Sequence, residues 1–222
     1  MKGALEITWA EEKLTLLPER AIWWAREKTL FIADPHFGKA STFRSAGLAV
    51  PEASHHDDLE RLATVVRRHR AKRLVVLGDF LHAKRGRTEA TLVALKEWRE
   101  SHAKLKIVLV IGNHDQHAGV PPAEWDIECV KEPWMMGPFR CCHVPPKVVT
   151  GFALAGHLHP AFHLRERSGL NVRAVCFHFQ ERVAVLPAFG NFTGTYTVEA
   201  VRGDGVFVVA GDTVVDVSGV VR

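Results

Sequence analysis

No run in these 222 residues approaches the ~20 consecutive apolar side chains that a membrane-spanning helix needs, so no membrane partner is expected. The amino terminus carries Glu6, Glu11 and Glu12 and lacks the pattern of a secretory leader. Cysteine is scarce: Cys129, Cys141, Cys142 and Cys176 form no CxxC pair, and the two adjacent ones are poorly placed to pair with each other. That usage points to a reducing compartment, the cytoplasm. Internal repeats, low-complexity tracts and an obvious linker are missing as well. Neither sign of charge dominates: 29 Lys and Arg against 25 Asp and Glu give +4. This is a mild tilt toward phosphate-bearing partners that does not by itself identify a nucleic-acid binder. Apolar residues, in contrast, make up 47% of the chain, ample for a core, and the expectation is one domain over residues 1–222.

The apolar residues gather into short runs that stop abruptly at polar groups. Ile107 to Ile111 ends in Gly112-Asn113-His114-Asp115, Leu30 to Ala33 in Asp34-Pro35-His36, Leu74 to Leu77 in Gly78-Asp79, and Phe152 to Ala155 in Gly156-His157-Leu158-His159. Continuous Val, Ile and Leu of this length reads as a strand covered on both faces, as in an α/β layer. Working residues in such sheets sit just beyond the carboxyl ends of the strands. If the four strands lie side by side and point the same way, two Asp, one Asn and several His converge on one rim.

Between these runs, Leu59, Leu62, Val65 and Val66 recur at helical spacing after Pro51, with Asp57 and Asp58 early and Arg67, Arg68 and Arg70 late, as the helix dipole favours. Thr88 to Ser101 predicts a second helix, with Thr88 as N-cap and Leu92, Leu95 and Trp98 on one face. The alternation in Leu5 to Trp9 predicts a half-buried strand, with shorter ones at Leu14 to Leu17 and Ala21 to Trp24. After residue 120 prolines punctuate the chain. Val172 to Phe179, Arg182 to Leu186, Tyr196 to Val201, Val206 to Ala210 and Thr213 to Val217 then predict a second sheet packed on the first. His55-His56-Asp57-Asp58 is ligand-rich, but it sits at a helix start, where capping and solvation account for it. Lys39, Arg44, His82, Lys84 and Arg85 follow the polar loops closely and are either phosphate contacts or surface cations. Trp134, with Met135 and Met136, is a core or a cleft residue.

The polar strand ends hold the inventory of a divalent metal pair: hard oxygens, imidazoles and a carboxylate able to bridge. Two ions held ~3.5–4 Å apart activate water and stabilise charge on a phosphoryl oxygen, so a phosphoester is the substrate that fits best. Asp34-x-His36, Gly78-Asp79, Gly112-Asn113-His114-Asp115, His143 and Gly156-His157-x-His159 resemble the five ordered motifs of the calcineurin-like metallophosphoesterases. Arg140-Cys141-Cys142-His143 departs from the glycine-histidine form usual in the fourth. Leu17-Pro18-Glu19-Arg20-Ala21, Gly38-Lys39-Ala40-x-Thr42-Phe43-Arg44, His143-x-Pro145-Pro146 and Leu186-Pro187-Ala188-Phe189-Gly190-Asn191-Phe192-Thr193-Gly194 extend the resemblance to the bacterial ligase-associated DNA damage response endonuclease branch, the PdeM type.

The resemblance implies a four-layer α/β/β/α sandwich of two mixed sheets with metals at their edge. It assigns Asp34, His36 and His159 to one ion and Asn113, His143 and His157 to the other, with Asp79 bridging. His114 becomes the general acid or phosphate clamp and Asp115 its orienting partner, while Lys39 and Arg44 are candidate substrate contacts. Two divalent ions are expected, Mn first, with Fe, Ni or Zn also compatible with these ligands. The implied activity is a phosphodiesterase or DNA endonuclease acting in DNA repair beside a DNA ligase. A phosphoesterase of small molecules or nucleotides and a protein-docking scaffold are the alternatives, and the intact ligand set argues against the scaffold.

Overall fold

The computed structural model describes residues 3–45, 47, 54–165 and 171–221, with the side chains of Ser45, Ser54, His55, His56 and Arg165 left out. Seven strands form the first sheet in chain order: β1 (Leu5–Trp9), β2 (Glu12–Leu17), β3 (Ala21–Trp24), β4 (Thr29–Ile32), β5 (Arg73–Leu77), β6 (Lys106–Val110) and β7 (Ile127–Val130). β1 to β4 pair antiparallel through tight turns, and β4 to β7 pair parallel. Parallel neighbours need crossovers, which here carry helices: α1 (Lys39–Ser45) and α2 (Ser54–His69) before β5, α3 (Glu89–Ser101) before β6, and α4 (Asn113–Ala118) before β7. α1 and α4 are each under two full turns and without a long apolar stripe, so no hydrophobic period in the sequence announces them.

The second sheet holds β8 (Trp134–Met136), β9 (Phe139–Cys141), β10 (Phe152–Ala155), β11 (Pro160–Arg165), β12 (Asn171–Phe179), β13 (Val183–Val185), β14 (Tyr196–Thr197), β15 (Gly205–Ala210) and β16 (Thr213–Asp216). Their path runs β14-β11-β12-β13-β10-β9-β8, with β15 on β12 and β16 on β15, in mixed directions. Three of the four polar-ended strands, β4, β5 and β6, do lie side by side and parallel. The fourth, β10, belongs to the other sheet, so the polar loops meet across the two sheets.

The continuous apolar runs follow from this layering. Leu30 and Ile32 of β4, Leu74 and Val76 of β5, and Ile107 and Leu109 of β6 face a core shared with Leu59, Leu62 and Val65 of α2 and Leu95 of α3. Their neighbours Phe31, Val75, Leu77 and Val110 face a second core against Phe139, Leu154, Phe177 and Ala184 of the other sheet. Each strand is therefore apolar on both faces, as burial between two layers requires. Trp134 packs against this inter-sheet core, while Met135 next to it is 52% exposed. Among the described residues, the helical element that follows the second sheet's strands is the single 3-10 turn Ser218–Val220 packed on β15, so that outer layer is thin.

α3 starts where the sequence places it, with Thr88 Oγ1 accepting the Thr91 N–H at 3.3 Å. α2 ends at Arg70, whose φ of 51° breaks the helix. Pro51, read as the approach to α2, lies outside the described residues, as do the His55 and His56 side chains. Asp58 corrects the solvated reading of that helix start: it is 7% exposed and pairs with Arg61 at 2.9 Å. It also accepts the Asn191 N–H at 3.3 Å, which ties α2 to the late Pro- and Gly-containing loop. No helix among the described residues is long and apolar enough to cross a membrane, and all four cysteines are free thiols.

Candidate metal centre

Past their last ladder bonds, the loops after β4 and β5 stay paired with each other. His36 N–H donates to the Asp79 carbonyl and Phe37 N–H to that of Phe80, both at 2.9 Å, and His82 N–H returns to Phe37 at 3.0 Å. The loops after β9 and β10 are joined by Gly156 N–H to the His143 carbonyl, 3.1 Å. The late loop closes the rim, with Phe189 N–H on Ala33 at 2.7 Å and Gly190 N–H on Asp34 at 3.3 Å. Asp34, His36, Asp79, His157 and His159 all adopt positive φ, between 48° and 70°. Side chains rarely tolerate this region, and five such residues in one rim store strain of the kind found at functional sites.

The side chains so aimed form two clusters with potential ligand atoms within 4.8 Å of one another: Asp34, His36 and His159, and Asp79, His143 and His157. Asp79 faces both, with Oδ2 3.9 Å from His36 Nε2 and Oδ1 3.5 Å from His143 Nε2. Asn113 Oδ1 lies 2.8 Å from His143 Nε2, and His157 Nδ1 is 3.0 Å from the same nitrogen. Backbone carbonyls only accept, so the ring nitrogens facing them carry the protons. His143 Nδ1 donates to Leu77 at 3.1 Å and His159 Nδ1 to Gly194 at 3.0 Å, which leaves both Nε2 lone pairs turned to the cluster.

Asp34 is fully buried, with one carboxylate oxygen accepting the His157 N–H at 2.7 Å and the other without a hydrogen-bond partner. Asp79 is 2% exposed, and burial, reinforced by Asp34, raises its pKa. Among the described residues, the ion-pair neighbours of the two acids are His36, His143 and His159, with no Lys or Arg. Burial, with the charge of Lys39 and the nearby His159, holds His36 far below an ordinary imidazole, in the neutral form that binds metal. Two buried carboxylates face imidazoles at ion-pair distance and, among the described residues, no Lys or Arg, and buried charge of that kind calls for a cation. The donor set fits divalent ions.

His114 stands at the mouth of this cluster. Its Nδ1–H donates to the His82 carbonyl at 2.7 Å, its N–H to Asp79 Oδ1 at 2.9 Å, and its ring lies 5.0 Å from both the His36 and His82 rings. The orienting contact expected of Asp115 thus comes from the main chain of His82. Asp115 instead accepts the N–H groups of Gly112 at 3.0 Å and Leu81 at 3.2 Å, fixing the loops that carry Asn113 and Asp79. Burial pushes its pKa up to about 6. His82, read from sequence only as a possible phosphate contact, joins His36 and His114 in a third group of close ring nitrogens; burial, with Lys39 and His114, lowers its pKa to about 4. Lys39 lies in the field of Asp79 and Asp34, though burial lowers its pKa overall. Arg44, later in α1, donates to Ser41 at 3.1 Å. A wider cleft of about 750 Å³ lies at the opposite strand ends, lined by Arg73, His102 and Lys106 among others, and contains none of these residues.

The profile of the calcineurin-like phosphoesterases matches residues 27–217. The chain belongs to this family. Among solved structures it is similar to the nuclease MPE of Pseudomonas putida, with a TM-score of 0.84 and 38% sequence identity over 96% of this chain and 100% of that one. No curated protein sequence matches it significantly. This calcineurin-like phosphoesterase is a metal-dependent phosphoric ester hydrolase with the two-sheet α/β fold of its family.

Gly78 shows how close the parts of the centre come. A Cβ there would lie 2.0 Å from His143 Nδ1, and the residue has φ of 83°. Gly78→Ala is expected to push the His143 ring out of the cluster and strain the turn. Metal content measured by mass spectrometry should fall and the melting temperature should drop; unchanged metal content would mean that His143 is not a ligand.

Proposed function

We propose that this enzyme is a dinuclear phosphodiesterase, supported best by Mn, that cleaves DNA as an endonuclease. The observation that carries the reading is Asp79, buried between two histidine clusters and facing both, in a chain similar along its whole length to a nuclease. Asp34, His36 and His159 would hold one ion and Asn113, His143 and His157 the other, with Asp79 as the carboxylate they would share. Ions bound there supply the Lewis acidity that activates water near neutral pH and stabilises developing phosphoryl charge. The protein holds these ligands by the main-chain bonds to Leu77 and Gly194 and excludes solvent from Asp34 and Asp79. His114, fixed by His82 through Nδ1, presents Nε2 to the substrate; protonated there, it donates to the leaving oxygen or clamps the phosphate. Residues 1–222 act as one metallophosphoesterase domain in the cytoplasm, and DNA repair beside a ligase is the setting that the subfamily resemblance suggests.

Lys39 and Arg44 are proposed to meet phosphates that flank the scissile one, with Lys39 lying in the field of Asp79 and Asp34. Charge removal at both positions should weaken DNA cleavage more than hydrolysis of a simple diester. DNA binding should also weaken as salt rises, because phosphate contacts release counterions. An equal fall on both substrates, measured as kcat/KM, would assign these cations to the fold or to the metal centre.

A further inference from the structure

The ligand His143 comes from the second sheet, yet its imidazole works among the strand ends of the first. Its ring touches Leu77, Asn113, Asp79 and Asp34, all on or just beyond β4, β5 and β6. Something must hold its main chain at that crossing. On one side Gly156 N–H donates to the His143 carbonyl. On the other, a single carboxylate oxygen of Glu132 accepts both the His143 N–H at 2.7 Å and the Val144 N–H at 3.0 Å. Glu132 lies in the three-residue connection from β7 to β8, where the chain passes from the first sheet to the second. The first sheet's end of that connection is itself fixed to the Asn113 loop, since Ile111 N–H donates to Val130 at 2.9 Å.

We infer that Glu132 is a positioning residue for the metal centre, one that docks the His143 loop and thereby sets the second ion's ligands. The inference rests on the metal reading given above. His143 and Val144 carry the last main-chain donors before Pro145 and Pro146, which have none. His143 is 1% exposed, so its N–H has no recourse to bulk water if the carboxylate is removed. A charged acceptor shared by two successive donors is stronger than a neutral one and fixes direction as well as distance. Groups that orient a ligand without touching the metal typically change metal affinity by roughly 10–100-fold when removed.

The test measures metal binding without catalysis. Glu132→Ala should weaken Mn binding at one of the two sites by about 10–100-fold in chelator competition. The metal-free protein should stay folded and melt only modestly below the wild type, since one buried N–H loses its acceptor, and excess Mn should restore kcat. Glu132→Gln keeps a carbonyl oxygen in place and should recover most of the affinity. Wild-type affinity at both sites in Glu132→Ala, or equal loss at both sites with a collapse of apo stability, overturns the inference. Amide exchange in the wild-type protein needs no variant: the Val144 N–H, on a residue 44% exposed, should exchange slowly, and fast exchange there contradicts the clamp. If the wild-type chain bound no metal, the metal reading would fall by itself, and the exchange result would still decide whether Glu132 holds the loop.

Discussion

Asp79→Asn is expected to leave a folded protein that holds far less than two metal ions per chain and hydrolyses no phosphoester above background. The side chain is 2% exposed and faces both histidine clusters, and burial, reinforced by the nearby Asp34, raises its pKa. Its charge is what two cations would share, and an amide of the same shape supplies none. The Oδ1 that accepts the His114 N–H remains available as an amide oxygen, so the loop should keep its course. The loss in affinity should therefore exceed the roughly 10–100-fold of an outer partner. Full occupancy by two ions in this variant, measured by mass spectrometry alongside circular dichroism, would remove Asp79 from the bridge.

His114→Asn should separate chemistry from metal binding. Its ring points to His36 and His82 at the mouth, and its Nδ1 proton is committed to a carbonyl, so the free nitrogen is the one left to meet substrate. The variant should keep both ions and lose turnover by roughly 10²–10⁴-fold, the range for a lost general acid or base. Metal loss would make His114 a ligand instead. His82 is the residue that holds it, through a backbone carbonyl that a side-chain substitution leaves in place.

Strands β4, β5, β6 and β10 were legible because burial on both faces leaves an unbroken apolar run, and a polar group then marks where the run ends. β7, β8 and β9 were not, being three or four residues long and set among prolines, and β11 begins directly at Pro160 after the His159 turn. Tyr196 to Val201 reads as a strand but pairs only over Tyr196–Thr197, where it meets β11. The clustered Asp, Asn and His residues were legible from their places after strands. Which nitrogen each imidazole turns inward was not, because Leu77, His82 and Gly194 contribute main-chain carbonyls that no side-chain pattern encodes. The burial of Asp58 was hidden for a related reason: the Asn191 N–H that it accepts lies on a loop 133 residues away. Asp115 is adjacent to His114 in sequence, yet in a helix neighbouring side chains point different ways, and its partners are Gly112 and Leu81.

The central claim is tested most directly by stripping the protein of metal and titrating Mn back while following cleavage of DNA, a simple phosphodiester and the matching monoester. DNA and diester cleavage should rise together and level off at two ions per chain, with the monoester well below both. A plateau at one ion, or a monoester hydrolysed fastest while DNA stays intact, would contradict the dinuclear nuclease and leave a small-molecule phosphatase in its place.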